Sequence, residues 1–125
     1  PGKILLLEDH IFRASKPAIV GVRVLAGRIR QGVGLLRDDG RVIGKIKSLR
    51  SGEDSLKEAI AGSEVAMAVD GVTVGRQMSP GDVLYVDIPE SAAKELDSVD
   101  LNPDEKEVLE RVKEIKREED PFWGM

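Results

Sequence analysis

The sequence predicts a mainly β protein, a small closed antiparallel β-barrel with a C-terminal α-helical extension, and three observations predict it. Runs with an apolar residue at every second position recur through residues 1–89. Turn residues separate them at a spacing of roughly 8 to 12. After residue 89 the alternation gives way to a helical period that starts at a capped Asn102-Pro103. Residues 1–89 are therefore expected to form the barrel and residues 90–125 a helical extension packed on or beside it. The 125 residues suffice for one domain with a single core.

The strands follow in order. Lys3 to Leu7 is a short apolar run. Ala18 to Ala26 alternates, with Val20, Val22 and Val24 on one face and Gly21 and Arg23 on the other. Arg41 to Arg50 sets Val42, Gly44 and Ile46 toward a core and Arg41, Lys45 and Lys47 away from it. Glu64 to Asp70 points Val65, Met67 and Val69 inward. Val83 to Ile88 points Leu84, Val86 and Ile88 inward, with Tyr85 and Asp87 outward. Ser55 to Ile60 reads equally as a strand or a helical turn. Asp39-Gly40 and Asp70-Gly71 suit hairpin turns that need positive φ, and Pro80-Gly81 suits a type II turn. With one Trp, one Tyr and two Phe, the interior is expected to be small and filled by Val, Ile and Leu.

The extension has its own signals. Glu90 to Leu96 predicts one or two helical turns. Asn102-Pro103-Asp104-Glu105 combines a capping side chain, a Pro tolerated at the first helical position and a Glu placed for a capping box. Val108, Leu109, Val112 and Ile115 then form one apolar stripe, backed by spacings such as Glu107 to Arg111 on the outer face. The terminal Phe122-Trp123 either pins the tail to the rest of the protein or offers a pocket to a partner.

Charge is unevenly distributed. Residues 1–89 hold 13 Lys and Arg against 11 Asp and Glu, whereas residues 90–125 hold 6 against 12, so a weakly cationic barrel is joined to a strongly anionic extension. The basic residues concentrate between Arg23 and Arg50, a pattern that attracts phosphate or is simply a solvated face. Absence of Cys removes disulfides, thiolate metal sites and thiol nucleophiles, and fits a reducing compartment. No apolar run approaches the ~20 residues needed to cross a bilayer. A cytoplasmic protein without a membrane partner is expected. No Gly-x-x-x-x-Gly-Lys-Ser/Thr loop occurs, His10 has no companion ligand or triad, and Asp38-Asp39 and Glu53-Asp54 sit in turns. An enzyme is not expected, and a start at Pro1 rather than Met suggests a piece of a longer polypeptide.

Several segments carry a family resemblance: Ile11-Phe12-Arg13-Ala14-Ser15-Lys16-Pro17-Ala18-Ile19-Val20-Gly21-Val22, then Gly27-Arg28-Ile29-Arg30-Gln31-Gly32, Gly44-Lys45-Ile46-Lys47-Ser48-Leu49, Gly75-Arg76-Gln77, Gly81-Asp82-Val83-Leu84-Tyr85-Val86-Asp87-Ile88-Pro89, and the ending Pro121-Phe122-Trp123-Gly124. Together they resemble the C-terminal barrel, domain IV, of archaeal translation initiation factor 5B, a relative of bacterial initiation factor 2. The barrel fold is similar to domain II of translational GTPases. The resemblance implies a module that engages the acceptor end of initiator methionyl-tRNA while the parent factor joins ribosomal subunits. It implies GTP and Mg only in an N-terminal domain outside this sequence, and no cofactor here. It also implies docking of initiation factor 1A on the helices, and in an alternative reading that docking is the main role and the barrel a spacer. On charge, with Lys45 and Lys47 on one outer face by strand parity and the others at strand ends, Arg28, Arg30, Lys45, Lys47, Arg50 and Arg76 are the candidate RNA contacts. Leu109, Val112, Ile115, Phe122 and Trp123 are the candidate partner contacts. An enzyme built on a related barrel would need a cofactor site that the sequence does not display.

Overall fold

A computed structural model describes all 125 residues. The strands are β1 (Gly2–Arg13), β2 (Ala18–Arg30), β3 (Gly34–Leu36), β4 (Val42–Ser51), β5 (Asp54–Leu56), β6 (Glu58–Ile60), β7 (Glu64–Asp70) and β8 (Val83–Val86), followed by helices α1 (Glu90–Leu96) and α2 (Pro103–Arg117). Pairing runs β1-β8-β3-β4-β7-β2, and β2 returns to β1, so six antiparallel strands close on themselves and leave no free edge in the ring. The Ser55 to Ile60 segment, equally a strand or a helical turn by pattern, falls in two short strands: β5 pairs antiparallel with β4, and β6 with the end of β2.

Inside the ring, Ile4, Leu6, Val20, Val22, Val24, Ile46, Leu49, Met67, Val69 and Leu84 interdigitate in one core. A second core lies outside it, where Ala26, Leu36, Tyr85 and Ile88 of the barrel meet Ala93, Leu101, Val108, Leu109, Val112, Ile115 and Trp123. Bulges sort residues between the two. At Leu25 one extra residue interrupts the β1–β2 register, which turns Ala26 outward to α2 and returns Ile29 to the interior. A bulge at Ile43, between the pairs Leu35 with Gly44 and Leu36 with Val42, does the same on β3 and β4. Strict alternation placed Val42 in the core; the bulge flips it to the surface, where it is 51% exposed. Tyr85 does leave the barrel interior but is covered by helix, and Ile88 joins the outer core rather than the inner one.

Helix α2 begins as its sequence requires. Asn102 Oδ1 accepts the Glu105 N–H at 2.8 Å and Glu105 Oε1 accepts the Asn102 N–H at 3.3 Å. Its apolar stripe buries Val108, Leu109, Val112 and Ile115, each contributing about 1.5–3 kcal/mol relative to exposure. Ion pairs fix the helix in place. Lys113, almost fully buried, is held by Asp97 and by Glu110 at 3.4 Å. Lys116 Nζ stands 2.7 Å from Asp87 Oδ1 but off the line of a directed hydrogen bond, so charge alone satisfies that buried oxygen. The same ammonium lies 5.9 Å from the centre of the Trp123 ring, and Arg117 Nε donates to the Trp123 carbonyl at 2.7 Å. No helix is long and apolar enough to cross a membrane.

Candidate nucleic-acid interface

Strand β4 presents three cations on the barrel exterior. Lys45 pairs across with Gly34 and Asp70, Lys47 is the extra residue of a bulge between Ile46 and Ser48, and Arg50 pairs with Ala66. All three are exposed, and none is in an ion pair. Extended backbone places Lys45 and Arg50 about 16 Å apart.

At the Arg50 end the track meets a hollow of about 200 Å³ lined by Leu7, His10, Phe12, Gly21, Arg50 and Val65. The interruption of β1 makes this hollow. Pairing jumps from Leu6 with Val22 to Ile11 with Val20, so four residues of β1 loop out opposite Gly21, with Asp9 at φ 60°. His10 then rests directly on Gly21: a β-carbon there would lie 2.6 Å from the His10 Cβ. The His10 Nδ1 is 2.8 Å from the Glu8 carbonyl oxygen, which fixes the ring. Phe12 is 64% exposed on the rim. The one carboxylate that lines the hollow, Glu64, is engaged by Arg23 Nη2 at 2.7 Å.

The six cations expected from sequence do not form one strip. Lys45, Lys47 and Arg50 share the β4 track. Arg28 and Arg30 instead line a groove of about 770 Å³ between the barrel and α1, whose far wall carries Glu95, Asp100 and Glu105. Arg28 is also 3.4 Å from Glu58 of the neighbouring strand β6. The Gln31 amide donates to the Lys47 carbonyl at 3.2 Å, so this groove adjoins the track without merging with it. Arg76 lies in a third place, a cleft shared with Arg37 and Arg111.

Of the expected partner contacts, Leu109, Val112, Ile115 and Trp123 are buried in the outer core and only Phe122, at 76%, is exposed. Their apolar surface is consumed in attaching the extension. The sequence does not mark Phe12, Leu7 or Gly21 as site residues, and it gives His10 a structural or solvent role rather than a place in a site. The available signal was the exposed aromatic in Ile11-Phe12-Arg13, where two consecutive large apolar residues cannot both face the same core. No cluster of three or more His, Asp or Glu is placed to hold a metal ion.

Comparison with known proteins agrees with this architecture. The family model for elongation factor Tu domain 4 matches residues 1–85. A probable translation initiation factor IF-2 of Thermoplasma volcanium is 52% identical over 124 residues, which cover 99% of this chain and 21% of the relative. That of Methanopyrus kandleri is 51% identical over 129 residues, covering 100% of this chain and 21% of its own length. Among solved structures, the crystal structure of GDP-bound aIF5B from Aeropyrum pernix superimposes with a TM-score of 0.90 at 37% identity, over 98% of this chain and 21% of that one. The chain thus spans about a fifth of the length of the relatives it matches. A barrel matched across residues 1–85, with a likeness that continues through both helices into archaeal initiation factors, means that this chain belongs to the elongation factor Tu domain 4 family.

Proposed function

We propose that this chain is the module with which a translation initiation factor engages the acceptor end of initiator methionyl-tRNA during subunit joining on the ribosome. The observation that carries the reading is the exposed Phe12 beside Arg50, at the end of a track of unpaired cations. A single-stranded terminus needs positive charge along its backbone and a ring on which a base can stack. Lys45, Lys47 and Arg50 supply the charge and Phe12 the ring. The hollow, smaller than the ~300–1,000 Å³ of drug-sized ligand sites, has the dimensions of one side chain or base. Leu7 and Val65 give it apolar walls suited to a methionyl group. GTP and Mg belong to another part of the parent factor in this reading.

The test is titration of the chain with a methionyl minihelix ending in CCA. Charge reversal at Lys45 and Lys47 is expected to abolish binding, and Phe12→Ala to weaken it about tenfold or more, since stacking contributes roughly 1–3 kcal/mol per base. Affinity is expected to fall steeply with salt. Binding that ignores salt, or that survives both changes, overturns the reading.

A second reading, docking of initiation factor 1A, is favoured by the groove beside α1, whose walls include the exposed Val99 together with Leu96 and Ile88. It expects Val99→Asp to abolish factor 1A binding without affecting the minihelix.

A further inference from the structure

The acceptor-end reading uses the cation and the ring at the hollow but leaves two polar groups on its walls, His10 and Glu64, without a task. Each carries a free hydrogen-bond acceptor. His10 Nδ1 lies 2.8 Å from the Glu8 carbonyl oxygen, which can only accept, so the neutral ring holds its proton on Nδ1 and keeps a bare lone pair on Nε2. On the β7 side, Arg23 Nε and Nη2 both donate to the same Glu64 oxygen, Oε2, at 3.2 and 2.7 Å. Glu64 Oε1 is left over. We propose that His10 and Glu64 form a primary-amine subsite, by which the module tells a free aminoacyl end from an N-acylated one. The proposal rests on the acceptor-end reading and names what that site selects.

Both acceptors are held in place by the barrel. His10 packs on Gly21 and is tethered to the Glu8 carbonyl, while Glu64 stands directly opposite Arg23 in the β2–β7 pairing and is fixed by that ion pair. Small residues lie between them. Gly21 pairs with Ala66 at the middle of the hollow, so the strands that separate His10 from Glu64 put no bulk there. Arg23 compensates the charge of Glu64, so the subsite works through lone pairs rather than through an excess of negative charge. Arg50 stays available to a phosphate.

A primary amine suits this arrangement because it brings several N–H donors on one small atom and no acceptor that the walls must satisfy. N-acylation reverses the match. It removes all but one of those donors and places a carbonyl oxygen against lone pairs, and a site built to bond an N–H rejects an analogue that leaves its buried acceptors unpaired. The hollow, at about 200 Å³, also has little room for an acyl group beside the amino-acid side chain that Leu7 and Val65 would hold.

The experiment compares three minihelices ending in CCA, one deacylated, one methionylated and one N-acetylmethionylated, with a stable amide in place of the ester. The native chain is expected to bind the free-amine form at least about tenfold more tightly than the acetylated form. In His10→Phe that ratio is expected to fall to about one, and in His10→Gln, whose side-chain carbonyl can accept, to recover in part; Glu64→Ala is expected to lower it as well. Equal, salt-dependent binding of all three forms by the native chain overturns the amine subsite and leaves the acceptor-end reading standing. A preference that neither His10→Phe nor Glu64→Ala alters overturns the assignment to these residues. Failure to bind any of the three overturns the acceptor-end reading and the subsite with it.

Discussion

Gly21 shows how one residue shapes a site. His10 sits where a side chain on Gly21 would project, 2.6 Å from the imagined carbon, and because the clash is with the root of His10, the looped-out segment of β1 would have to shift as a unit. Gly21→Ala is therefore expected to destabilise the fold by about 1–3 kcal/mol and to deform the hollow, read as a lower melting temperature together with weaker minihelix binding. At this scale sequence was informative where a residue's role depended on its own chemistry. Lys45 and Lys47 could be named as exposed cations from their parity and Arg50 from its place at a strand end, although strict alternation would turn Arg50 inward and only the bulge at Lys47 brings it to the same face. His10 and Phe12 could not be placed, because their position depends on a four-residue excursion in β1 that no local pattern announces.

The helical extension was the most legible element and its function the least. Asn102, Pro103 and Glu105 specify a helix start in four consecutive residues, and both capping bonds form. Asn102→Ala is expected to cost about 1 kcal/mol, measured by chemical denaturation. The stripe of Val108, Leu109, Val112 and Ile115 marked a face that needed a partner, yet the pattern carries no record of whether that partner is another protein or the same chain; here it is the barrel. Lys113 supports the same packing. Burial opposes its charge, but the Asp97 hydrogen bond and the fields of Glu110 and Asp97 outweigh that and raise its pKa above the ordinary 10.5. A pKa raised by folding stabilises fully below the unfolded value and ceases to do so as pH climbs through the folded one. Melting temperature is therefore expected to fall more steeply above pH 10.5 in the native chain than in Lys113→Met.

The whole molecule is a ring with an attached cover. Closure of the barrel was readable from turn spacing and short strands; the sorting of residues between two cores was not, since Val42 and Ala26 change sides through bulges that strict alternation cannot register. Residues 1–89 alone would expose Leu36, Tyr85 and Ile88, and such a truncation is expected to bind hydrophobic dyes and to associate, as seen by light scattering. Strand β8 has a particular place in this arrangement, because Leu84 faces the interior and its neighbour Tyr85 faces the helices. That single strand acts as a shared wall between two compartments, and a load that pries the cover away need not flood the inner one. Helix α2 is thus expected to open as a sub-global unit while the ring stays shut, and its amides to exchange with deuterium well before those of β2, β4 and β7.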